Sequence, residues 1–122
     1  MPYYFDIKTK RSGIKPDELK YYAIPVRAGL LTTRQLAKVI SERCTLTEPD
    51  ILATLSALSN VMEEYLALGY HVKMDGIGRF SLSITNAGVD EPEKLTASRV
   101  KSKRICFMAD KDLKMEMRKV QF

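Results

Sequence analysis

The stretch TEPDILATLSALSNVMEEYLALGYHVKMDGIGRFSLSI, residues 47–84, decides the fold. Its first half predicts one long helix, because apolar residues recur at alternating spacings of four and three, the pattern of a heptad stripe. Thr47 stands three residues before Asp50, which is the spacing of a helix capping box, and Gly69 supplies a stop. The second half alternates between apolar and polar residues around Gly76-Ile77-Gly78, and predicts two antiparallel strands joined by a tight turn. The heptad stripe consists of Ile51, Leu55, Leu58, Met62 and Tyr65.

The long helix is too apolar to be covered by one neighbour. Leu52, Leu66 and Leu68 extend its apolar surface beyond the heptad stripe, so the helix needs cover on more than one side. A shorter helix precedes it, opened by a second capping box from Thr32 to Gln35, and can cover one side. A second copy of the chain is the natural cover for the other side. The heptad stripe is therefore predicted to form a dimer interface, in a homodimer or in a heterodimer with a related chain.

Two alternating segments before the helices predict an N-terminal strand pair. They are YYFDIKTK, residues 3–10, and YYAIPVRAG, residues 21–29, separated by turn residues at Gly13 and Pro16. Pro25 has no N–H group to give to a strand ladder. The second strand is therefore expected to lie at a sheet edge or to contain a break.

The C-terminal segments complete the fold. RICFMA, residues 104–109, predicts a further strand, and DKDLKMEMRK, residues 110–119, predicts a closing helix with Asp110 as its N-cap. The order strand, strand, helix, helix, strand, strand, strand, helix indicates an α+β fold. We expect two parts, a strand-pair extension at residues 1–29 and one compact unit at residues 30–122.

Length and composition exclude several classes of protein. At 122 residues the chain can bury a core without metals or disulfides, and no apolar run is long enough to span a membrane. The N-terminus lacks the pattern of a secretory signal, so a cytoplasmic location is expected. Cys44 and Cys106 lie in apolar contexts and are expected to be small core residues rather than a disulfide or metal ligands.

Enzymatic chemistry has little support in the sequence. The single histidine, His71, lies in an alternating strand with no Asp or Glu beside it, which is more typical of a structural residue than of a general base. Two distant cysteines and one histidine cannot build a closed zinc site. The GIGRF stretch matches neither glycine fingerprint for phosphate binding, and no helix follows it. We therefore expect no catalytic residue, no metal, no cofactor and no small-molecule substrate.

Charge is distributed unevenly along the chain. The net charge of +5 is made up of +3 for residues 1–30, −4 for residues 31–93 and +6 for residues 94–122. A basic C-terminal segment that folds beside the glycine turn would attract a polyanion such as duplex DNA, although a solvated lysine face gives the same composition. The candidate DNA-binding residues are Lys73, Gly76, Gly78, Arg79, Arg99, Lys101, Lys103, Arg104, Lys111 and Lys114.

Residues 32–84 resemble the bacterial HU and integration host factor histone-like proteins. The shared features are two capped helices, followed by a strand, a Gly-x-Gly turn and a strand that begins with an aromatic residue, here Gly76-Ile77-Gly78-Arg79-Phe80. The resemblance resumes at RICFMADKDLKMEM, residues 104–117, with Phe107 and Leu113 at the apolar positions. It covers a little over half of the chain, and the additional N-terminal segment indicates a divergent HU-like branch.

The resemblance implies an HU-like fold that works as a dimer. The helices of two chains would interlock in a helical body, and the sheets would form an antiparallel β-saddle on the minor-groove side of double-stranded DNA. Gly76, Gly78 and Arg79 would lie at the saddle turn, and Lys111 and Lys114 would face the phosphate backbone. The implied function is non-enzymatic, architectural binding of DNA with little sequence preference, in the nucleoid of the bacterial cytoplasm.

Three departures from the family pattern limit this expectation. In the span that forms a basic arm in HU-type proteins, Pro92 lies between two glutamates and close to Asp90, so we expect no arm that wedges into DNA. Asp75 stands beside the saddle glycines, and Met108 and Ala109 replace a lysine and a proline. The acidic arm region and the extra N-terminal strands, with Pro25 at their edge, favour a second hypothesis, a protein-interaction or structural module on an HU-like scaffold with weak or lost DNA binding.

Overall fold

The computed structural model describes residues 2–11 and 19–122. Within these ranges the strands are β1 (Phe5–Arg11), β2 (Leu19–Pro25), β3 (Val72–Met74), β4 (Gly78–Asn86) and β5 (Val100–Ala109), and the helices are α1 (Thr33–Ser41), α2 (Glu48–Ala67) and α3 (Lys111–Met117). Two short 3-10 turns, Pro92–Lys94 and Ala97–Arg99, lie between β4 and β5. The predicted α+β order of elements is confirmed. The predicted turn at Gly13 and Pro16 lies outside the described residues.

Helices α1 and α2 begin where the sequence predicts, because each has a complete capping box. At α1 the Thr32 hydroxyl accepts a hydrogen bond from the Gln35 N–H at 3.4 Å, and the Gln35 side-chain oxygen accepts one from the Thr32 N–H at 2.8 Å. Thr47 and Asp50 make the same exchange at the start of α2. Gly69 follows the last turn of α2 with φ at +91°, a left-handed conformation that glycine adopts without steric strain.

The main sheet has the order β3-β4-β5 and is antiparallel throughout. Strand β4 pairs with β5 from Gly78 opposite Ala109 to Asn86 opposite Val100. The strand predicted at residues 104–109 therefore begins earlier than expected. The prediction failed because residues 100–103 are mostly polar, whereas a strand ladder needs only the backbone groups of the two strands and tolerates polar side chains on an exposed ribbon.

Strands β1 and β2 form a separate two-stranded ribbon, called here the N-terminal ribbon, which confirms the predicted strand pair. Pro25 ends β2, in agreement with its predicted edge or break. The base of the ribbon is attached to the C-terminus, since the Tyr3 N–H donates to the Gln121 carbonyl oxygen at 2.8 Å. The ring of Phe122 lies 5.6 Å from that of Tyr3 and 6.4 Å from that of Phe5, measured between centroids.

One protomer buries few apolar side chains. Among the described residues the buried apolar side chains are those of Ala37, Ile51 and Leu66. The chain exposes 11,070 Å² of surface. A compact monomer of 13.9 kDa exposes about 6,700 Å². The two-stranded ribbons account for part of the difference, because both of their faces are open, and the small buried core accounts for another part.

The cysteine prediction is wrong for Cys44, which is exposed. Cys44 lies in the turn between α1 and α2. Cys106 lies in β5 and is half-buried. Among residues 2–11 and 19–122, no helix combines the length and the apolar character needed to cross a membrane.

Candidate functional site

The two faces of the main sheet carry opposite kinds of side chain. Leu82 lies opposite Ile105, and both line a groove against α2, so this face of the sheet points towards the helices. Phe80 lies opposite Phe107 on the same face, with ring centroids 4.8 Å apart. Because side chains alternate along a strand, the residues between them point away from the helices. The cations on that second face, called here the basic sheet face, are Lys73, Arg79, Lys101 and Arg104.

A β-bulge places two of these cations on one face. Arg104 lies opposite Ser83 and Lys101 lies opposite Thr85, although Arg104 and Lys101 are three positions apart in sequence. In a regular strand an odd spacing sends two side chains to opposite faces. Lys103 has no partner in the register, so β5 carries one extra residue at this point. The extra residue shifts the alternation by one position and brings Lys101 to the same face as Arg104.

Four cations meet where the sheet joins α3. Lys73 of β3, Arg79 of β4, and Lys111 and Lys114 of α3 line one open pocket of about 370 Å³, called here the corner pocket. Gly78 also lines it, and the remaining lining residues are Met108, Ala109 and Asp110. All four cations are exposed.

Backbone contacts fix the geometry of the corner pocket. The Asp110 N–H donates to the Ile77 carbonyl oxygen at 2.9 Å and so attaches the start of α3 to the glycine turn. The Asp110 side chain accepts from the Asp112 N–H at 3.1 Å and caps α3. Gly78 has φ at +152°, and a Cβ atom there would overlap the Met108 carbonyl oxygen and approach the Phe107 ring to 2.6 Å. The turn therefore requires glycine at this position.

The corner pocket has an excess of positive charge. In the described part of the chain the one ion pair joins Lys119 to Glu116, with 3.0 Å between Nζ and Oε1. The cations of the pocket are therefore not paired with any carboxylate that the structure describes. Asp110 is the single carboxylate lining the pocket, and it is engaged as a helix cap. Cations gathered in a concave surface raise the local positive potential, which favours an anionic ligand.

Met108 is a site residue that the sequence reasoning did not select. It lies opposite Arg79 in the register, and an Arg79 guanidinium N–H group points to its sulfur, with 3.8 Å between Nη2 and Sδ. Counting along the strands from the Phe80–Phe107 pair would have placed Met108 beside Arg79.

The remaining predicted residues lie away from the corner pocket. Gly76 has φ at +81° and forms the tip of the β3–β4 turn. Lys101, Lys103 and Arg104 lie towards the far end of β5, and Arg99 lies in the 3-10 turn before it. Nine residue steps, about 30 Å at the rise of an extended strand, separate Ala109 beside the pocket from Val100 at the start of β5.

The loop at the tip of the β4–β5 ribbon is acidic. Asp90, Glu91 and Glu93 are all exposed there, on either side of Pro92. The predicted cations therefore form two groups, a corner group and a strand group, with carboxylates beyond the second.

The residues considered for catalysis and metal binding do not come together. His71 is exposed next to β3. In residues 2–11 and 19–122 no cluster of three or more His, Cys, Asp or Glu side chains could hold a metal ion.

Two capped helices, a three-stranded antiparallel sheet with a glycine turn and a closing helix with two lysines define an HU-like unit. The family described as "HU domain fused to wHTH, Ig, or Glycine-rich motif" matches residues 1–122, and the chain belongs to this family. The resemblance inferred from residues 32–84 and 104–117 is thereby confirmed, and the family match extends over the N-terminal ribbon as well. A comparison with curated proteins found no match.

Proposed function

We propose that this protein is a non-enzymatic, dimeric DNA-binding protein that holds duplex DNA through the basic sheet face and the corner pocket. The observation that supports this most directly is the convergence of Lys73, Arg79, Lys111 and Lys114 on one pocket beside the required glycine turn. Membership in an HU-domain family supports the same function. Binding needs no cofactor, because the interaction consists of cation–phosphate contacts.

Dimerisation through α2 is part of this proposal. Leu55, Leu58 and Met62 of the heptad stripe line the groove between α2 and the sheet, together with Leu66, Leu82 and Ile105. Ile105 is 63% exposed in the single chain. The groove has a volume of about 580 Å³, enough to take several side chains of a second copy. We call it the helix groove.

The other two residues of the heptad stripe have different surroundings. Ile51 is already buried within the protomer, and Tyr65 packs edge-on against Tyr70 with 5.4 Å between ring centroids. We therefore expect Leu55, Leu58 and Met62 to form the centre of the interface. The chain exposes about 4,400 Å² more than a compact monomer of its mass, which is enough for the 2,000–5,000 Å² that obligate dimers bury.

Two basic sheet faces side by side would form a saddle for DNA. Lys and Arg contacts to phosphates release counterions, so the affinity falls steeply with salt and depends little on base sequence. The acidic tip of the β4–β5 ribbon would be repelled by phosphates, so DNA binding is proposed to proceed without insertion of Pro92 between bases. Nucleoid association in the bacterial cytoplasm follows from such a function.

A charge reversal in the corner pocket tests the proposal. Lys111→Glu with Lys114→Glu should lower the affinity for random duplex at about 50 mM salt by at least tenfold, and reduce the salt slope by about two per protomer, because each lost phosphate contact removes about 0.9 from it. Fluorescence anisotropy across a salt series measures both quantities. The matched control, Arg34→Glu with Lys38→Glu on α1, changes the net charge equally and should keep most of the binding. Wild-type protein that does not bind at about 50 mM salt, or equal losses in the two variants, would contradict the proposal.

A protein-interaction module is the second candidate function. It is favoured by exposed apolar side chains on the N-terminal ribbon, where Ile7 is 62% and Tyr21 is 72% exposed, and by the acidic ribbon tip. Replacing Ile7 and Tyr21 by Ser should then abolish capture of a protein partner in a pull-down and leave DNA affinity unchanged. If the wild type and this variant capture the same proteins, the protein-interaction function of the ribbon is contradicted.

A further inference from the structure

The N-terminal ribbon has one apolar face and one basic face. Residues directly opposite each other in an antiparallel pair lie on the same face. Phe5 is opposite Pro25, Ile7 is opposite Ala23 and Thr9 is opposite Tyr21, which gives a mainly apolar face. The residues of the other face, called here the ribbon lysine face, are Asp6 opposite Ile24, Lys8 opposite Tyr22, and Lys10 opposite Lys20.

The pairing of Lys10 with Lys20 is unfavourable in the isolated chain. Like charges directly opposite each other on one face of a sheet repel, and side chains in such pairs are about 5 Å apart. Lys8 lies on the same face, one alternation further along the strand. All three lysines are exposed. An anion bound between the lysines would offset this repulsion. This part of the ribbon is therefore suited to contact a polyanion.

Few groups on the ribbon lysine face compete with such an anion for the lysines. Asp6 is the one carboxylate among the described residues of this face, and its Oδ1 already accepts from the Ile7 N–H at 2.8 Å. Tyr22 lies opposite Lys8, and Lys8, Lys10, Tyr22 and Ile24 border a shallow pocket of about 400 Å³. A tyrosine hydroxyl between lysines is a typical donor to a phosphate oxygen.

The ribbon is attached close to the corner pocket. Its base is hydrogen-bonded to Gln121, which follows Lys114 by seven residues. The chain between these two residues is at most about 25 Å long when fully extended, and its first part is helical and therefore shorter. One helical turn of DNA is about 34 Å long, which is longer than the chain that joins the corner pocket to the base of the ribbon.

We propose that the ribbon lysine face, centred on Lys8, Lys10 and Lys20, is a second contact surface for the DNA backbone. It rests on the proposed function, because the corner pocket and the basic sheet face hold the duplex that the ribbon then contacts. The ribbon extends the DNA-binding surface beyond the HU-like unit, and its lysines contribute affinity and salt dependence without base preference.

The experiment neutralises the three lysines and compares three full-length proteins. They are the wild type, the variant Lys8→Gln, Lys10→Gln and Lys20→Gln, and a charge-preserving variant with arginine at the same three positions. Anisotropy with a random duplex of about 30 base pairs, three helical turns, gives the affinity and the salt slope. We expect the glutamine variant to lose about 2.7 from the slope per bound ribbon and about tenfold or more in affinity at physiological salt, and the arginine variant to keep both.

A footprint on the DNA provides the second measurement. The footprint is the number of base pairs that one bound protein covers, obtained from saturating titrations on duplexes of increasing length. It should be larger for the wild type than for the glutamine variant. A further variant, with Arg34, Lys38 and Arg43 changed to Gln, controls for net charge and should give the wild-type footprint.

The outcomes separate this inference from the proposed function. If the Lys111→Glu, Lys114→Glu protein loses binding while the ribbon glutamine variant keeps the wild-type affinity, slope and footprint, the inference is wrong and the proposed function stands. Wild-type protein that fails to bind duplex overturns both. If the wild type binds anionic lipid vesicles and the ribbon glutamine variant does not, while their DNA affinities are equal, the ribbon lysine face contacts a membrane surface and the inference is overturned.

Discussion

The two faces of the main sheet differ in the side chains that they expose. The face that carries Phe80, Leu82 and Ile105 is apolar and is only partly covered by α2, and it is the face that the proposed dimer would cover. The face that carries Arg79 and Arg104 is basic and is not paired with any described carboxylate, so it is suited to an anion. The strand period of two produces both faces from one sequence. The proposed dimer contact and the proposed DNA contact would therefore lie on opposite sides of one sheet.

The largest effect should come from a charge on the apolar side. Leu58→Asp places a carboxylate in the helix groove, and an unpaired charge in a buried interface costs about 3–5 kcal/mol. We expect loss of the dimer or of the fold, measured by sedimentation equilibrium and by thermal melting. Leu68→Asp is the matched control, since Leu68 is 73% exposed and does not line the groove. A Leu58→Asp protein that keeps the wild-type mass and melting temperature would contradict the role of this face.

The second-largest effect should come from a change in the glycine turn between β3 and β4. Gly78→Ala places a Cβ atom against the Met108 carbonyl oxygen and the Phe107 ring, in a backbone conformation that side chains rarely adopt. Strain of this kind costs about 1–3 kcal/mol in the free energy of unfolding. Urea denaturation measures the loss. Gly88→Ala serves as the control, because nothing lies within 4 Å of a Cβ atom there. Equal unfolding free energies for the two variants would show that the turn tolerates a side chain.

The smallest effect should come from the acidic tip of the β4–β5 ribbon. Changing Asp90 to Asn, and Glu91 and Glu93 to Gln, removes three negative charges near the cations of β5. DNA affinity should rise by about two- to fivefold at about 50 mM salt, and the gain should disappear at about 0.5 M salt, where screening is strong. Anisotropy titrations at both salt concentrations test this. A loss of affinity would mean that the tip contacts DNA in a way that needs its carboxylates.

Local signals in the sequence predicted the helices and part of the basic cluster. The Thr32–Gln35 and Thr47–Asp50 spacings fixed the helix starts, because a capping box is a contact within four residues. The glycine turn and the Asp110 cap fixed the ends of β4 and α3. From these anchors the sequence predicted one shared face for all the basic residues of β3, β4, β5 and α3. The structure brings Lys73, Arg79, Lys111 and Lys114 to one pocket, whereas Arg99, Lys101, Lys103 and Arg104 do not line it.

Features that depend on partners distant in sequence could not be predicted in this way. The early start of β5 depends on backbone pairing with β4, which leaves no apolar pattern in residues 100–103. The bulge at Lys103, which puts Lys101 and Arg104 on one face, depends on the register between two strands. Cys44 was assigned to the core from its apolar neighbours, whereas its exposure is set by a turn between two helices.

The most direct test of the whole account is the mass of the protein alone and on DNA, measured by native mass spectrometry at low salt. If a second copy seals the helix groove, two basic sheet faces act together on one DNA. We then expect a particle of twice 13.9 kDa without DNA, and one duplex bound per two chains when DNA is added. A folded particle of one chain, or one chain bound to each duplex, would contradict it.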